Sequence, residues 1–258
     1  MSKIYKAFEQ GKAFIPFITC GDPDAETTEA AVKAAADNGA DLIELGIPFS
    51  DPTAEGPVIQ GANLRALNGG MTTDKVFALV GRLRKTLELP LVFMTYSNVV
   101  FSYGAERFTE RCREEGVDGV ILPDLPFEEK EEFVGPCRAA GVDLISMIAP
   151  TSENRIAMIA REAEGFLYVV SSLGVTGMRS EITTDLASII KTVRQNTSVP
   201  CAIGFGISNP EQARKMAALS DGAIVGSAII RLLEQYGPGA PERIGAFVRE
   251  MKAAVRQA

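Results

Sequence analysis

The sequence predicts a single α/β domain over residues 1–258, a (β/α)8 TIM barrel with an N-terminal extra helix and a short extra helix after strand eight. Three observations carry this. An amphipathic stretch, a glycine stop, often an aspartate, and a short apolar run recur, most clearly in NGADLIELG (38–46), EGVDGVILP (115–123), AGVDLISMI (140–148) and LSDGAIVG (219–226). The runs are rich in β-branched residues and roughly four to eight long, as strands buried on both faces of a parallel sheet are. No linker interrupts the chain, and 258 residues with 46% hydrophobic content suit one barrel. An open doubly wound sheet is the alternative that the same alternation allows.

In chain order the strands are expected near 14–19 (FIPFIT), 41–46, 91–96 (LVFMTY), 118–122, 142–148, 166–171 (FLYVVS), 199–204 (VPCAIG) and 222–225. Helical patterns lie between them in AETTEAAVKAAADNG, TDKVFALVGRLRKTL, GAERFTERCREEG, EEKEEFVGPCRAAG and NPEQARKMAAL. Glycine after such a helix takes the left-handed conformation that ends it. In a barrel of this kind, chemistry belongs at the C-terminal ends of the strands and in the loops that follow.

Composition removes several classes of function. A net charge of −7 and a pI near 4.9 argue against a general nucleic-acid or anionic-membrane surface, so any phosphate must be held locally. Cys20, Cys112, Cys137 and Cys201 are scattered, without zinc spacing, and read as free buried thiols of a reducing compartment. The chain has no histidine, which removes Ser-His-Asp and Cys-His chemistry and leaves carboxylates, tyrosine, lysine and backbone amides for acid–base work. MSKIYKAFEQGK lacks the apolar core of a signal peptide, and no apolar run approaches the roughly 18 residues of a membrane span, so a cytoplasmic protein is expected.

The strand ends carry two kinds of unusual residue. After strand seven GFGIS supplies Gly204 and Gly206, after strand eight VGSAII supplies Gly226 and Ser227, and SSLGVTG after strand six supplies Gly174, Thr176 and Gly177. Bare amides and a helix N-terminus in loops on one rim point to a phosphate site, where each glycine pair alone would read as a tight turn. At the other end, Leu42, Glu44 and Gly46 share one face of strand two and Ile43 and Leu45 the other, so Glu44 points into the barrel mouth. Burial there raises its pKa toward the range of a general acid or base, unless it is a structural acid bound to amides or a lysine. Asp51 and Glu55 follow on SDPTAEGP, a loop stiffened by proline. Tyr168 shares a face with Phe166 and Val170 and either fills the core or offers its hydroxyl to a ligand, while Phe17 and Met94 supply apolar walls.

FIPFITCGDP, ELGIPFSDPTAEGPVIQ, SSLGVTG, GFGIS and VGSAII together resemble the α subunits of tryptophan synthase over nearly the whole length. The resemblance implies retro-aldol cleavage of indole-3-glycerol phosphate to indole and glyceraldehyde 3-phosphate, without metal or organic cofactor in this subunit. It implies that Glu44 protonates indole C3, that Glu55 accepts or stabilises the indole N–H proton, and that Tyr168 lies beside the ring. Gly177, Gly206, Gly226 and Ser227 match phosphate-binding positions. Loops 50–57 and 172–181 match mobile lids, with Asp51 on the first and Thr176 reaching back from the second.

A pyridoxal-phosphate β subunit in an αββα assembly is the implied partner, with Asp51, Pro52 and Asn98 near the interface. The family's usual loop reads DPxADGP, so Glu55 replaces an aspartate, and Thr53 stands where an apolar residue is common. The extra methylene carries the Glu55 carboxylate about 1 Å too far unless the loop shifts. A buried Glu44 and a wetter Glu55, in unlike environments, are expected to fill the two roles. A stand-alone lyase that releases free indole, and a non-catalytic subunit that binds substrate and activates β, are the alternatives.

Overall fold

A computed structural model describes residues 2–171, 185–204 and 206–258. In chain order its elements are α1 (Lys6–Glu9), β1 (Ala13–Thr19), α2 (Ala25–Asp37), β2 (Ile43–Gly46), α3 (Pro57–Asn68), α4 (Thr73–Leu83), β3 (Leu91–Met94), α5 (Ser97–Tyr103), α6 (Ala105–Glu115) and β4 (Gly119–Ile121). They continue with α7 (Glu131–Ala140), β5 (Asp143–Ile145), β6 (Met147–Ile148), α8 (Glu153–Arg161), β7 (Leu167–Val170), α9 (Leu186–Asn196), β8 (Cys201–Gly204), α10 (Pro210–Leu219), β9 (Gly222–Val225), α11 (Ser227–Tyr236) and α12 (Ala240–Val255).

All strand pairs are parallel, in the order β5-β4-β3-β2-β1-β9-β8-β7-β6. The two ends of that order are halves of one strand interrupted at Ser146, whose carbonyl accepts from Tyr168 N–H at 3.1 Å. The ring is therefore closed through the chain itself, and the predicted strand 142–148 is corrected to two short pieces that turn from β4 toward β7. The other predicted strands are present with ends moved by one or two residues. Pro57–Asn68 and Ser97–Tyr103, absent from the predicted helical patterns, add two helices on the rim.

Local chemistry explains the boundaries. Asp24, Thr72, Ser152, Asp185 and Asn209 each accept an amide hydrogen bond at the start of the following helix. Gly116 and Gly141, with φ of 81° and 70°, end α6 and α7 in the left-handed conformation the glycine stops predicted.

The strands separate two apolar sets. Ile43 and Leu45 join the core beneath the helices, while Leu42, Ile15, Val92, Ile121, Phe166, Tyr168 and Val170 fill the barrel interior. Below them the N-terminal segment forms a plug: Ile4 and Ala7 are buried in the interior set, and Phe8 meets Phe166 at 5.9 Å between ring centroids. The predicted N-terminal helix is thus the stopper of the barrel floor. At the same end, buried Lys252 of α12 donates to the Asp41 carboxylate at 2.7 Å and to the Lys12 carbonyl at 2.8 Å. Lys252→Ala leaves a mostly buried carboxylate uncompensated and is expected to cost about 3 kcal/mol, readable as a lower urea midpoint.

All four cysteines are free and buried, as their scattered spacing predicted. Among the described residues, no helix is long and apolar enough to cross a membrane.

Candidate active site

The register places Glu44 between Phe17 of β1 and Val92 of β3, and Gly46 beside Met94. Glu44 faces inward as its alternation predicted and is only 1% exposed. Neither of its carboxylate oxygens has a hydrogen-bond partner among the described residues. The amides or lysine that a structural acid requires are not among its described neighbours. Burial alone pushes its pKa well up, which favours the protonated, uncharged carboxyl.

Glu44 lines a cavity of about 30 Å³ with Phe17, Met94, Tyr168, Gly206, Gly226 and Ser227, joined by Ile59, Ile207 and Ile224. Seven predicted site residues thus meet at one place. The space is small, with Phe17 and Met94 as its apolar walls. Phe17 lies over Gly46, where an added Cβ would stand 2.6 Å from its ring. Tyr168 lies over Gly204 in the same way, with its hydroxyl 2.3 Å from the position of such a Cβ. Gly204, expected to bare an amide, instead makes room for the tyrosine. Burial, and then the Glu44 charge, push the Tyr168 phenol up, so it stays a proton-bearing hydroxyl.

Opposite Glu44, Gly226 precedes the first turn of α11, whose leading amides lack acceptors within the helix. Gly206, Gly226 and Ser227 line this edge of the cavity at the start of the short extra helix that the sequence predicted, where free amides can accept an anion. Ser227→Asp places a negative charge there and is expected to raise KM for a phosphate-bearing substrate at least about tenfold, measured by steady-state kinetics. Gly177 and Thr176 lie outside the described residues.

Glu55 departs from expectation. It is 7% exposed, so the wetter environment predicted for it is corrected to a buried one. It also does not line the Glu44 cavity. Its carboxylate accepts from Asn63 Nδ2 of α3 at 2.6 Å, and the Tyr96 hydroxyl is its other hydrogen-bonding neighbour. Burial raises its pKa to about 7 against the lowering effect of both partners. Among the described residues the two acids differ through hydrogen bonding: Glu44 has no partner, and Glu55 has Asn63 and Tyr96.

Asp51 is exposed on the same loop and accepts from the Ser50 hydroxyl at 2.5 Å; Asn98 is exposed on α5. Asn63 and Tyr96 carry no motif. Asn63 sits in a helix missing from the predicted patterns, and Tyr96 ends LVFMTY, where it read as strand.

A larger groove of about 970 Å³ runs from Ala54 and Val170 at the mouth down between α7 and α8. Charges along it pair with one another, Lys130 with Glu162 at 2.6 Å and Arg155 with Glu128 at 2.5 Å. Among the described residues it has no buried acid without a hydrogen-bond partner, the feature that marks the smaller cavity.

The fold and this mouth define a (β/α)8 barrel with an acid and an anion-accepting helix start across one small apolar cavity. The family model of the tryptophan synthase alpha chain matches residues 5–256. A relative from Lacticaseibacillus casei, named tryptophan synthase alpha chain, is 49% identical over 99% of this chain and 96% of its own length. Tryptophan synthase subunit alpha from Legionella pneumophila superposes with a TM-score of 0.90 at 36% identity, covering 100% of both chains. A chain of a tryptophan synthase complex from Pyrococcus furiosus gives a TM-score of 0.85 at 31% identity, covering 94% of this chain and 98% of that one. This chain belongs to the tryptophan synthase alpha chain family, a family of lyases.

Proposed function

We propose that this chain cleaves indole-3-glycerol phosphate to indole and glyceraldehyde 3-phosphate, with Glu44 as the proton donor. The observation that carries the reading is a buried carboxyl without a hydrogen-bond partner among the described residues, in the same cavity as a helix start that can accept an anion. Carbon–carbon cleavage needs a proton at a weakly basic carbon, and an acid of raised pKa supplies one.

Protonated Glu44 gives its proton to indole C3, and the ring becomes an indolenine. Glu55 takes up or stabilises the ring N–H proton as electron density moves toward C3. The bond from C3 to the glycerol carbon then breaks, its electron pair returns to the ring, and any proton that Glu55 took goes back to the ring nitrogen, restoring the indole. The adjacent hydroxyl becomes the aldehyde carbonyl, and its proton goes to the Glu44 carboxylate, which is ready again. Tyr168, Phe17 and Met94 flank the ring. Gly206, Gly226 and Ser227, with Gly177 beyond the described residues, anchor the phosphate, and that remote binding orients the ring against the acid. Thr176 and Asp51 belong to the lids. The reaction as written uses only side chains and amides, without metal or organic cofactor in this chain.

The partner in this reading is a β subunit carrying pyridoxal phosphate, in an αββα heterotetramer of the cytoplasm. The match to a chain of a tryptophan synthase complex supports the partner. So does the rim around α5, where Phe101 is 65% exposed near Asn98. Steady-state indole release with and without the β subunit tests the reading: turnover rises when β is added. Equal, fast turnover alone identifies a stand-alone lyase. Glu55's place outside the Glu44 cavity favours one second reading, a subunit that binds substrate and activates β without turnover; normal substrate affinity with no indole, even with β present, establishes it. Glu55→Ala is expected to remove most of the activity, at least about tenfold in kcat.

A further inference from the structure

Glu55 is held from two elements that belong to neither its own loop nor its own strand. Asn63, 3% exposed on α3, donates to its carboxylate at 2.6 Å. Tyr96, 2% exposed at the end of β3, faces the same carboxylate, accepts the Ala54 N–H at 3.2 Å, and packs its ring on Phe49 at 5.3 Å. One phenol thus grips the loop at a ring, an amide and an acid. The backbone is tied as well, since Gln60 Nε2 donates to the Glu55 carbonyl at 2.7 Å.

The platform under Asn63 is rigid. Two residues on, Arg65 binds fully buried Asp22 through two nitrogens, at 2.7 and 2.9 Å, and reaches Glu234 of α11 at 3.3 Å. Ile59 of the same helix lines the cavity beside Gly226. Helix α3 is therefore anchored to the loop after β1 and to the helix at the phosphate edge, a geometry suited to holding a side chain to a fraction of an ångström.

We propose that Asn63 and Tyr96 are positioning residues for the reaction, a two-point clamp that keeps the Glu55 carboxylate aimed at the edge of the mouth. This rests on the assignment of Glu55 as the acceptor for the indole N–H proton. The clamp matches the longer side chain: an aspartate, one methylene shorter, falls about 1 Å short of Asn63 without movement of the loop.

The sign of the pH effect follows from the groups that face Glu55. Burial raises its pKa, and the Asn63 amide and Tyr96 hydroxyl lower it. Asp124, from the loop after β4, acts on Tyr96. Losing either clamp residue therefore lifts the pH at which Glu55 ionises, and activity that needs the carboxylate is lost first on the acid side.

The test is the pH profile of kcat for indole release by the full chain with its β subunit, for wild type, Tyr96→Phe, Asn63→Ala and Glu55→Gln, each checked for folding by circular dichroism. Both clamp variants are expected to lose about tenfold at about pH 6 and less than about threefold at about pH 9, with KM little changed. Glu55→Gln is expected to lack the acid limb. An unmoved acid limb in both clamp variants, with the limb absent in Glu55→Gln, overturns the clamp and leaves Glu55's role standing. A wild-type profile in Glu55→Gln overturns that role and the clamp with it. A uniform loss at all pH values in both clamp variants marks them as merely structural and also overturns the proposal.

Discussion

Glu44→Gln is expected to lower indole release at least about a hundredfold while substrate affinity changes by less than about threefold. The amide keeps the shape of the carboxyl and its place between Phe17 and Val92, so the anion-accepting edge at Gly226 and Ser227 is untouched. Only the transferable proton is lost. Single-turnover release of indole, with affinity measured separately by substrate titration, checks both halves; retention of more than about a tenth of wild-type turnover refutes the role of Glu44.

The same variant carries a stability signature of known sign. Glu44's folded pKa lies above its ordinary value because burial penalises the charge. Wild-type stability from this group is thus fully present below the ordinary carboxylate range and declines as pH rises toward the folded value. Each pH unit of that window is worth up to about 1.4 kcal/mol. Glutamine does not ionise, so Glu44→Gln is expected to gain stability over wild type at about pH 8 and to lose that gain below about pH 4. Urea midpoints at the two pH values report it.

Gly204→Ala is the second large effect, expected to cost about a hundredfold in kcat/KM. Its Cβ would stand 2.3 Å from the Tyr168 hydroxyl and 2.6 and 2.7 Å from two ring carbons, all within the distance that real Cβ atoms avoid. The backbone cannot retreat, because Gly204 pairs with Val170 across β7 and β8 and its carbonyl accepts from Ser171 N–H at 3.0 Å. The tyrosine must move instead, into the cavity it shares with Glu44. Overpacking of this kind costs about 1–3 kcal/mol of stability, so a folded but inactive protein is the expected product. Wild-type turnover in Gly204→Ala contradicts the account of how Tyr168 is seated.

Much of this was legible in the sequence because barrel strands are buried on both faces and glycine stops punctuate the helices. Alternation in DLIELG placed Glu44 inward with Leu42 and put Ile43 and Leu45 beneath the helices, where they lie. GFGIS and VGSAII marked the edge formed by Gly206, Gly226 and Ser227. Contacts between distant segments were not legible. That Glu55 is buried depends on Asn63 of α3 and Tyr96 just after β3, eight and 41 positions away, and a loop acid followed by glycine and proline reads as solvated. That Gly204 is a seat for a ring depends on the register of β7 against β8, which local pattern does not encode. The break at Ser146, which turns one strand toward two partners, leaves no mark in AGVDLISMI.

The most direct test of the central claim is the product balance when purified chain is mixed with indole-3-glycerol phosphate, with and without the β subunit and with no added metal. Equal amounts of indole and glyceraldehyde 3-phosphate, appearing together and lost in Glu44→Gln, are the predicted result. Substrate that binds and is recovered intact in both mixtures, or cleavage that persists unchanged in Glu44→Gln, contradicts it.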